Sequence, residues 1–144
     1  MRILRLVSVI TLLTALPASA AQQYGNVIVS EITSIYDGDT FRANIERWPG
    51  IIGHRVPIRI NGIDTPELRG QCQQEKVLAK EAKKVTVSVL RAASKVELRN
   101  MKRGKYFRIV SDVYADGMNV GEQLIGRGLA VRYGGGKKIK DWCK

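Results

Sequence analysis

The chain has 144 residues but a single histidine, His54, and only two cysteines, Cys72 and Cys143. One histidine excludes any mechanism that divides proton transfer between two. Three such side chains in all cannot close a protein-only tetrahedral zinc site in a monomer. Long apolar runs are also scarce. The most apolar stretch, Leu6 to Leu16, counts eleven residues, well short of the roughly 20 that a membrane-spanning helix needs, and no later segment is a better candidate. Acidic residues are few, 13 against 24 Lys and Arg. No internal repeat or linker divides the sequence, so it reads as one domain.

Arg2 and Arg5, the apolar stretch and Pro17-Ala18-Ser19-Ala20 together predict a secretory signal peptide over residues 1–20. No cysteine follows the cleavage site, as it would in a lipoprotein. The remaining 21–144 is a single domain of 124 residues carrying 22 basic and 13 acidic side chains, a net charge of +9. Such an excess implies a polyanionic partner, nucleic acid first; a merely soluble basic protein or a binder of anionic lipid is the alternative. The expected location is periplasmic or released, as a monomer without stable membrane association. An oxidising compartment makes one Cys72–Cys143 disulfide the economical reading, two free buried thiols being the other.

Val27, Val29 and Glu31 to Ile35 read as a first strand before Asp37-Gly38, a dipeptide that favours tight hairpin turns. Phe41, Ala43 and Ile45 alternate with polar residues in a second strand, which ends near Trp48-Pro49-Gly50; Ile51 to Gly53 reads as loop. Val56, Ile58 and Ile60 alternate in a third. From Cys72 onward, Leu78, Ala82, Val85 and Val89 fall on one helical face and four lysines on the remainder, predicting a helix to about Leu90. Val96 and Leu98 begin a fourth strand, Lys102 to Gly104 turn, and Tyr106 to Tyr114 form a fifth. Asn119 with Glu122 makes a capping box for a short helix that Gly128 would end. The tail from Gly134 reads as flexible and basic until Trp142-Cys143. Five strands with a long helix between the third and fourth is the order of an OB-fold barrel, α+β but mainly β. An SH3-like barrel is the nearest competitor, and the helix argues against it.

Arg59 to Glu67 packs one guanidinium and two carboxylates into nine residues. The alternation that turns Val56, Ile58 and Ile60 to one face turns Arg59 to the other, and Asn61-Gly62 then bends the chain. Charged groups therefore gather at a strand end. The same residues also read as a helix start, with Thr65 as cap, Pro66 at the first position and Glu67 in the first turn. With them stand Asp37-Gly38-Asp39-Thr40 in the first hairpin and Lys105-Tyr106-Phe107-Arg108 in the fifth strand. In this order and spacing the three motifs resemble the staphylococcal (micrococcal) nuclease family. Tyr114-Ala115-Asp116-Gly117 and Gly128-Leu129-Ala130 extend the likeness over about residues 27 to 133. Gly70-Gln71-Cys72 and Asp141-Trp142-Cys143 resemble a feature of its exported Gram-negative members.

The resemblance implies a calcium ion held by Asp39, Asp64 and the backbone carbonyl of Thr65, hard oxygen donors that suit this metal. It also implies that Glu67 activates or orients the attacking water, and that Arg59 and Arg108 clamp the phosphate and offset developing charge. Tyr106 would stack on or hydrogen-bond the nucleotide, and Tyr133 is a further substrate-binding candidate. The activity implied is calcium-dependent endo- and exonucleolytic hydrolysis of DNA and RNA, leaving 3′-phosphate and 5′-hydroxyl ends. A chain with one histidine fits that scheme, because a carboxylate needs no unusual pKa to act as base at neutral pH. Phe107 and Gly104 depart from the family pattern, which often has Gly and an acidic residue there, and bear on nucleotide affinity. The alternative of a different class is a non-catalytic OB-fold module that binds single-stranded nucleic acid. Such a module needs basic and aromatic residues, but not Asp39, Asp64, Glu67 and two framed arginines together.

Overall fold

A computed structural model describes residues 22–144; the signal peptide expected at 1–20 falls outside the described residues. The chain folds in the order β1 (Val27–Ile28), β2 (Glu31–Ile35), β3 (Thr40–Asn44), α1 (Gly50–Gly53), β4 (Val56–Ile60), β5 (Ile63–Asp64) and α2 (Gln73–Ala92). Then follow β6 (Val96–Arg103), β7 (Ile109–Ala115), β8 (Met118–Asn119), α3 (Val120–Gly126) and β9 (Val131–Arg132). The five expected strands are β2, β3, β4, β6 and β7, with α2 between the third and fourth. The expected first strand, Val27 to Ile35, is interrupted at Val29-Ser30 and so contributes β1 as well as β2, while β5, β8 and β9 are two-residue additions too short for any periodicity to announce.

The main sheet runs β1-β6-β7-β4-β3-β2, with β8 beside β7, while β5 pairs with β9. β4 and β7 are parallel and their neighbours antiparallel. Two successive residues close the curl. Val29 donates its N–H to Val96 on one edge, and Ser30 donates to Asn44 on the other, both at 2.9 Å. The inward positions of the alternating strands, Phe41, Ile58, Ile60, Leu98 and Val113, are fully buried. This is the α+β, mainly-β OB-fold barrel that the strand order implies.

The helix packs a stripe one step away from the expected one. Glu75, Ala79, Ala82, Thr86 and Leu90 are buried, whereas Leu78, Val85 and Val89 lie at the margin. Small residues win the central line because the β2–β3 hairpin tip presses against it. Thr86 Oγ1 donates to the Gly38 carbonyl at 2.7 Å. A Cβ on Gly38 would come within 2.8 Å of Ala82 Cβ and 3.0 Å of Thr65 Cγ2. Gly38 is thus required by close approach to the helix, not by the left-handed turn that Asp-Gly ordinarily signals.

Other local expectations are corrected. No helix starts at Thr65, since the helix begins only after Cys72, whose Sγ accepts from the Glu75 N–H. Gly50–Gly53 is a helical turn rather than loop. The fifth strand begins at Ile109; Lys105–Arg108 is a tight hairpin turn closed by the Arg108 N–H on the Lys105 carbonyl, and β6 continues through Arg103 where a turn was expected. Asn119 does cap α3, but only half of the capping box forms, because the Glu122 carboxylate pairs with Arg132 instead. Gly128, at φ +70°, ends the helix as expected, with its N–H and that of Leu129 returning to Ile125 and Leu124. No helix among the described residues is long and apolar enough to cross a membrane.

Candidate active site

Three separate segments converge beside the hairpin tip. In the turn, the Asp37 carboxylate accepts from the Asp39 N–H at 3.1 Å. That contact makes Asp37 the turn residue and frees the Asp39 side chain to face β4. There Arg59 donates to Asp39 Oδ1 at 2.8 Å, and its second amino group lies 3.9 Å from Asp64 Oδ1. Asp39, Asp64 and Thr65 are each only 3 % exposed. Two buried carboxylates therefore share one guanidinium, and one positive charge cannot neutralise both.

The electrostatics record that shortage. Burial pushes Asp39 up from 3.8 to about 6, against the opposing pull of Arg59 and helped by the nearby Asp37 charge. Asp37 is raised as well, again chiefly by burial. Asp64 Oδ1 is buried, and the Lys138 ammonium stands 2.7 Å from it. A buried carboxylate that draws in an ammonium group is one where a metal cation would compete for the same charge. The donor set of two carboxylates and a carbonyl is all hard oxygen, so these residues fit calcium. The other metal-like cluster, Cys72, Glu75 and Cys143, does not fit an ion, because both sulfurs are spent in a Cys72–Cys143 disulfide with Cα atoms 5.9 Å apart.

Lys138 and Glu75 belong to this site and were not foreseen. Lys138 bridges Asp64 and Glu67, reaching Glu67 Oε1 at 2.5 Å. Burial draws the lysine pKa down, but its contacts with the two carboxylates more than offset that, and the net shift is upward. Glu75, buried under the loop, accepts from the Glu67 N–H at 3.2 Å and the Gln71 N–H at 2.9 Å. A Cβ on Gly70 would collide with the Glu75 carboxylate, which accounts for glycine before Gln71-Cys72. The sequence did hold a signal for Lys138. It precedes Cys143 by five residues, as Glu67 precedes Cys72, so joining the cysteines brings the two side chains back together.

The remaining candidates sit further out. The β4–β7 register pairs Ile58 with Ile109 and Arg59 with Val110; extended one step, it sets Arg108 beside Pro57, one strand over from Arg59. Its Nε is buried with no acceptor, an orphan donor that a phosphate oxygen would satisfy. Tyr106 and Phe107 both adopt left-handed backbone, φ 57° and 58°, at a cost of about 1–3 kcal/mol each. That turn leaves them 89 % and 81 % exposed. Tyr133 follows β9, the partner of β5, but its hydroxyl donates to the Gly136 carbonyl within the tail.

A curled, mainly-β OB-type sheet with two buried carboxylates gathered on an arginine defines the class of protein. The chain belongs to the staphylococcal nuclease family: the family model described as staphylococcal nuclease homologue matches residues 57–141, more than half of its length. A nuclease-type function and nucleic-acid substrates go with that membership. Arg59, Asp64, Glu67, Arg108 and Lys138 fall inside the matched range, and Asp39 lies upstream of it. No curated protein matches the chain.

Proposed function

We propose that this chain is an exported, calcium-dependent nuclease that hydrolyses phosphodiester bonds of DNA and RNA, leaving 3′-phosphate and 5′-hydroxyl ends, in the periplasm or after release. The observation that carries the reading is the pair of buried carboxylates, Asp39 and Asp64, gathered on Arg59, with the Lys138 ammonium of the tail already drawn against Asp64. A fold that only bound nucleic acid would gain nothing from burying two negative charges beside a polyanion's path. Asp39, Asp64 and the Thr65 carbonyl would hold the calcium, which would supply divalent charge to offset the negative charge of the phosphodiester.

The chain's own residues do the rest. Arg59 and the unpartnered Nε–H of Arg108 grip non-bridging phosphate oxygens and offset the charge that grows on them in the transition state. Glu67, held at its backbone by Glu75, activates or orients the water whose oxygen bonds to phosphorus, taking one of its protons when it acts as base; the bond to the 5′-oxygen breaks, that oxygen takes a proton from solvent, and Glu67 returns its own to solvent. Tyr106, exposed on the strained turn beside Arg108, is available to the nucleotide.

The test is purified protein with plasmid DNA or RNA and calcium. Fragments that a chelator abolishes, with 5′-hydroxyl ends, are the expected result. Wild-type protein that binds single strands but never cuts them would leave the non-catalytic module.

A further inference from the structure

A second cavity, of about 590 Å³, opens at the barrel mouth where β4 begins, away from the carboxylates. Its volume falls within the range of about 300–1,000 Å³ typical of small-ligand sites. Tyr24, Trp48, Ile51, Met101, Arg103 and Phe107 form its walls, and no acidic residue is among those that line it. Ile51 and Phe107 are 95 % and 81 % exposed, so folding leaves large apolar surfaces uncovered around the opening. None of the roles assigned so far uses this cavity.

We propose that it is a base-stacking subsite, holding an unpaired nucleobase that flanks the phosphate gripped by Arg59 and Arg108; the inference rests on the nuclease reading. Position supports it. Phe107 and Ile109, which line the cavity, bracket Arg108 in sequence, and Pro57, also in its wall, lies two residues before Arg59 on β4. Along a strand that separation is about 7 Å, a step a single-stranded backbone spans between neighbouring phosphates. The hairpin supports it too. The two-residue turn between β6 and β7 needs positive φ at Tyr106 and Phe107, and an aromatic side chain where glycine would fit more easily puts a ring at the cavity mouth. The turn that holds Phe107 out of the core is the one that delivers Arg108.

Chemistry selects the occupant. Flat apolar walls suit a π-face, and the Arg103 guanidinium, 5.4 Å from the Phe107 ring centroid, adds a cation to the platform. Arg42, opposite Pro57 in the β3–β4 register, donates to the Arg55 carbonyl at 3.2 Å, so the rim beyond the cavity is cationic as well. An apolar peptide or lipid chain would fill the walls but leave these arginines unanswered. A nucleotide uses both.

The experiment measures binding with chelator present, so that nothing is cut, of a short single-stranded oligodeoxynucleotide and of an abasic phosphodiester of equal length. Phe107→Ala should weaken the base-containing strand about tenfold and leave the abasic strand unchanged; Phe107→Trp should restore affinity. Equal weakening of both ligands, or of neither, overturns the proposal. So does an apolar peptide that occupies the cavity without being displaced by the oligonucleotide. Calcium-dependent cleavage by wild type is scored separately. A nuclease whose Phe107→Ala variant keeps its preference for bases refutes the subsite alone, whereas preference for bases without cleavage refutes the nuclease reading alone.

Discussion

Replacing Lys138 by methionine should tighten calcium binding. The ammonium lies 2.7 Å from Asp64 Oδ1 and 2.5 Å from Glu67 Oε1, so an ion settling against Asp64 must first displace a cation that the chain itself provides. The size of the effect follows from where the charges sit. Asp64 is buried, with its side chain 4 % exposed, but the lysine side chain is 42 % exposed. A pair in contact at an effective dielectric near 20 interacts by about 4 kcal/mol, while measured exposed pairs contribute about 0.2–1 kcal/mol. Solvent screening places this mixed pair at about 1–2 kcal/mol, or roughly five- to thirtyfold in the calcium dissociation constant. Calorimetric titration without nucleic acid reads it directly, and Lys138→Arg, which keeps the charge, should bind calcium as wild type does. The tail's hold should matter as well: reducing the disulfide should tighten calcium binding in wild type and do little more in Lys138→Met. A methionine variant that binds calcium no tighter than wild type would refute the reasoning.

Glu67→Gln keeps shape and removes the base, and should cut single-stranded DNA at least about a hundredfold more slowly while binding it nearly unchanged, as single-turnover assays would show. Replacing Lys83 and Lys84, half-buried and exposed on α2, should instead weaken binding modestly and flatten its salt dependence with turnover on bound substrate intact. Asp39, at about 6 against an ordinary 3.8, holds its proton more tightly folded than unfolded. Its contribution therefore favours the metal-free fold below about 4 and is lost as pH rises through about 6. Calcium competes with that proton, so its affinity should fall about tenfold per pH unit below about 6 and level off above, as titrations across that window would show. Reducing Cys72–Cys143, which closes a separation of 71 residues, should remove roughly 4 kcal/mol and lower the melting temperature by on the order of 10–15 °C in calorimetry.

The barrel was legible because β3, β4, β7 and the first half of β6 show one buried face at period two, and α2 shows a period near 3.6 over five turns. Where legibility failed, the deciding fact was tertiary. Tyr106 and Phe107 carry strong strand propensity, and nothing local shows that their backbone turns left-handed to let Arg108 rejoin the sheet beside β4. The Thr65-Pro66-Glu67 run satisfies every rule for a helix start, yet the buried Glu75 takes the Glu67 N–H and the chain makes only an isolated turn, with the Gly70 N–H on the Glu67 carbonyl at 2.8 Å. Lys138 sits in a tail of lysines and glycines whose composition reads as solvent-exposed; only the disulfide singles it out. Asp39 and Asp37 could be ranked only through the family likeness, because the hydrogen bond that makes one a turn residue and points the other at Arg59 leaves no trace in sequence.

Gly38 ties the inheritance of the site to positions that carry no chemistry. Its missing methyl is the clearance that lets the hairpin tip seat between Ala82 on the helix and Thr65 at the end of β5. Two prospective calcium ligands from distant segments, Asp39 and Thr65, thus take their spacing from one van der Waals contact. Growth at 38 would wedge them apart even though every ligand remained. It should be tolerated only when 82 shrinks in compensation, as in Gly38→Ala paired with Ala82→Gly, and then only so far as Thr65 gives way. Among descendants of this chain, positions 38, 65 and 82 are therefore expected to change together or not at all.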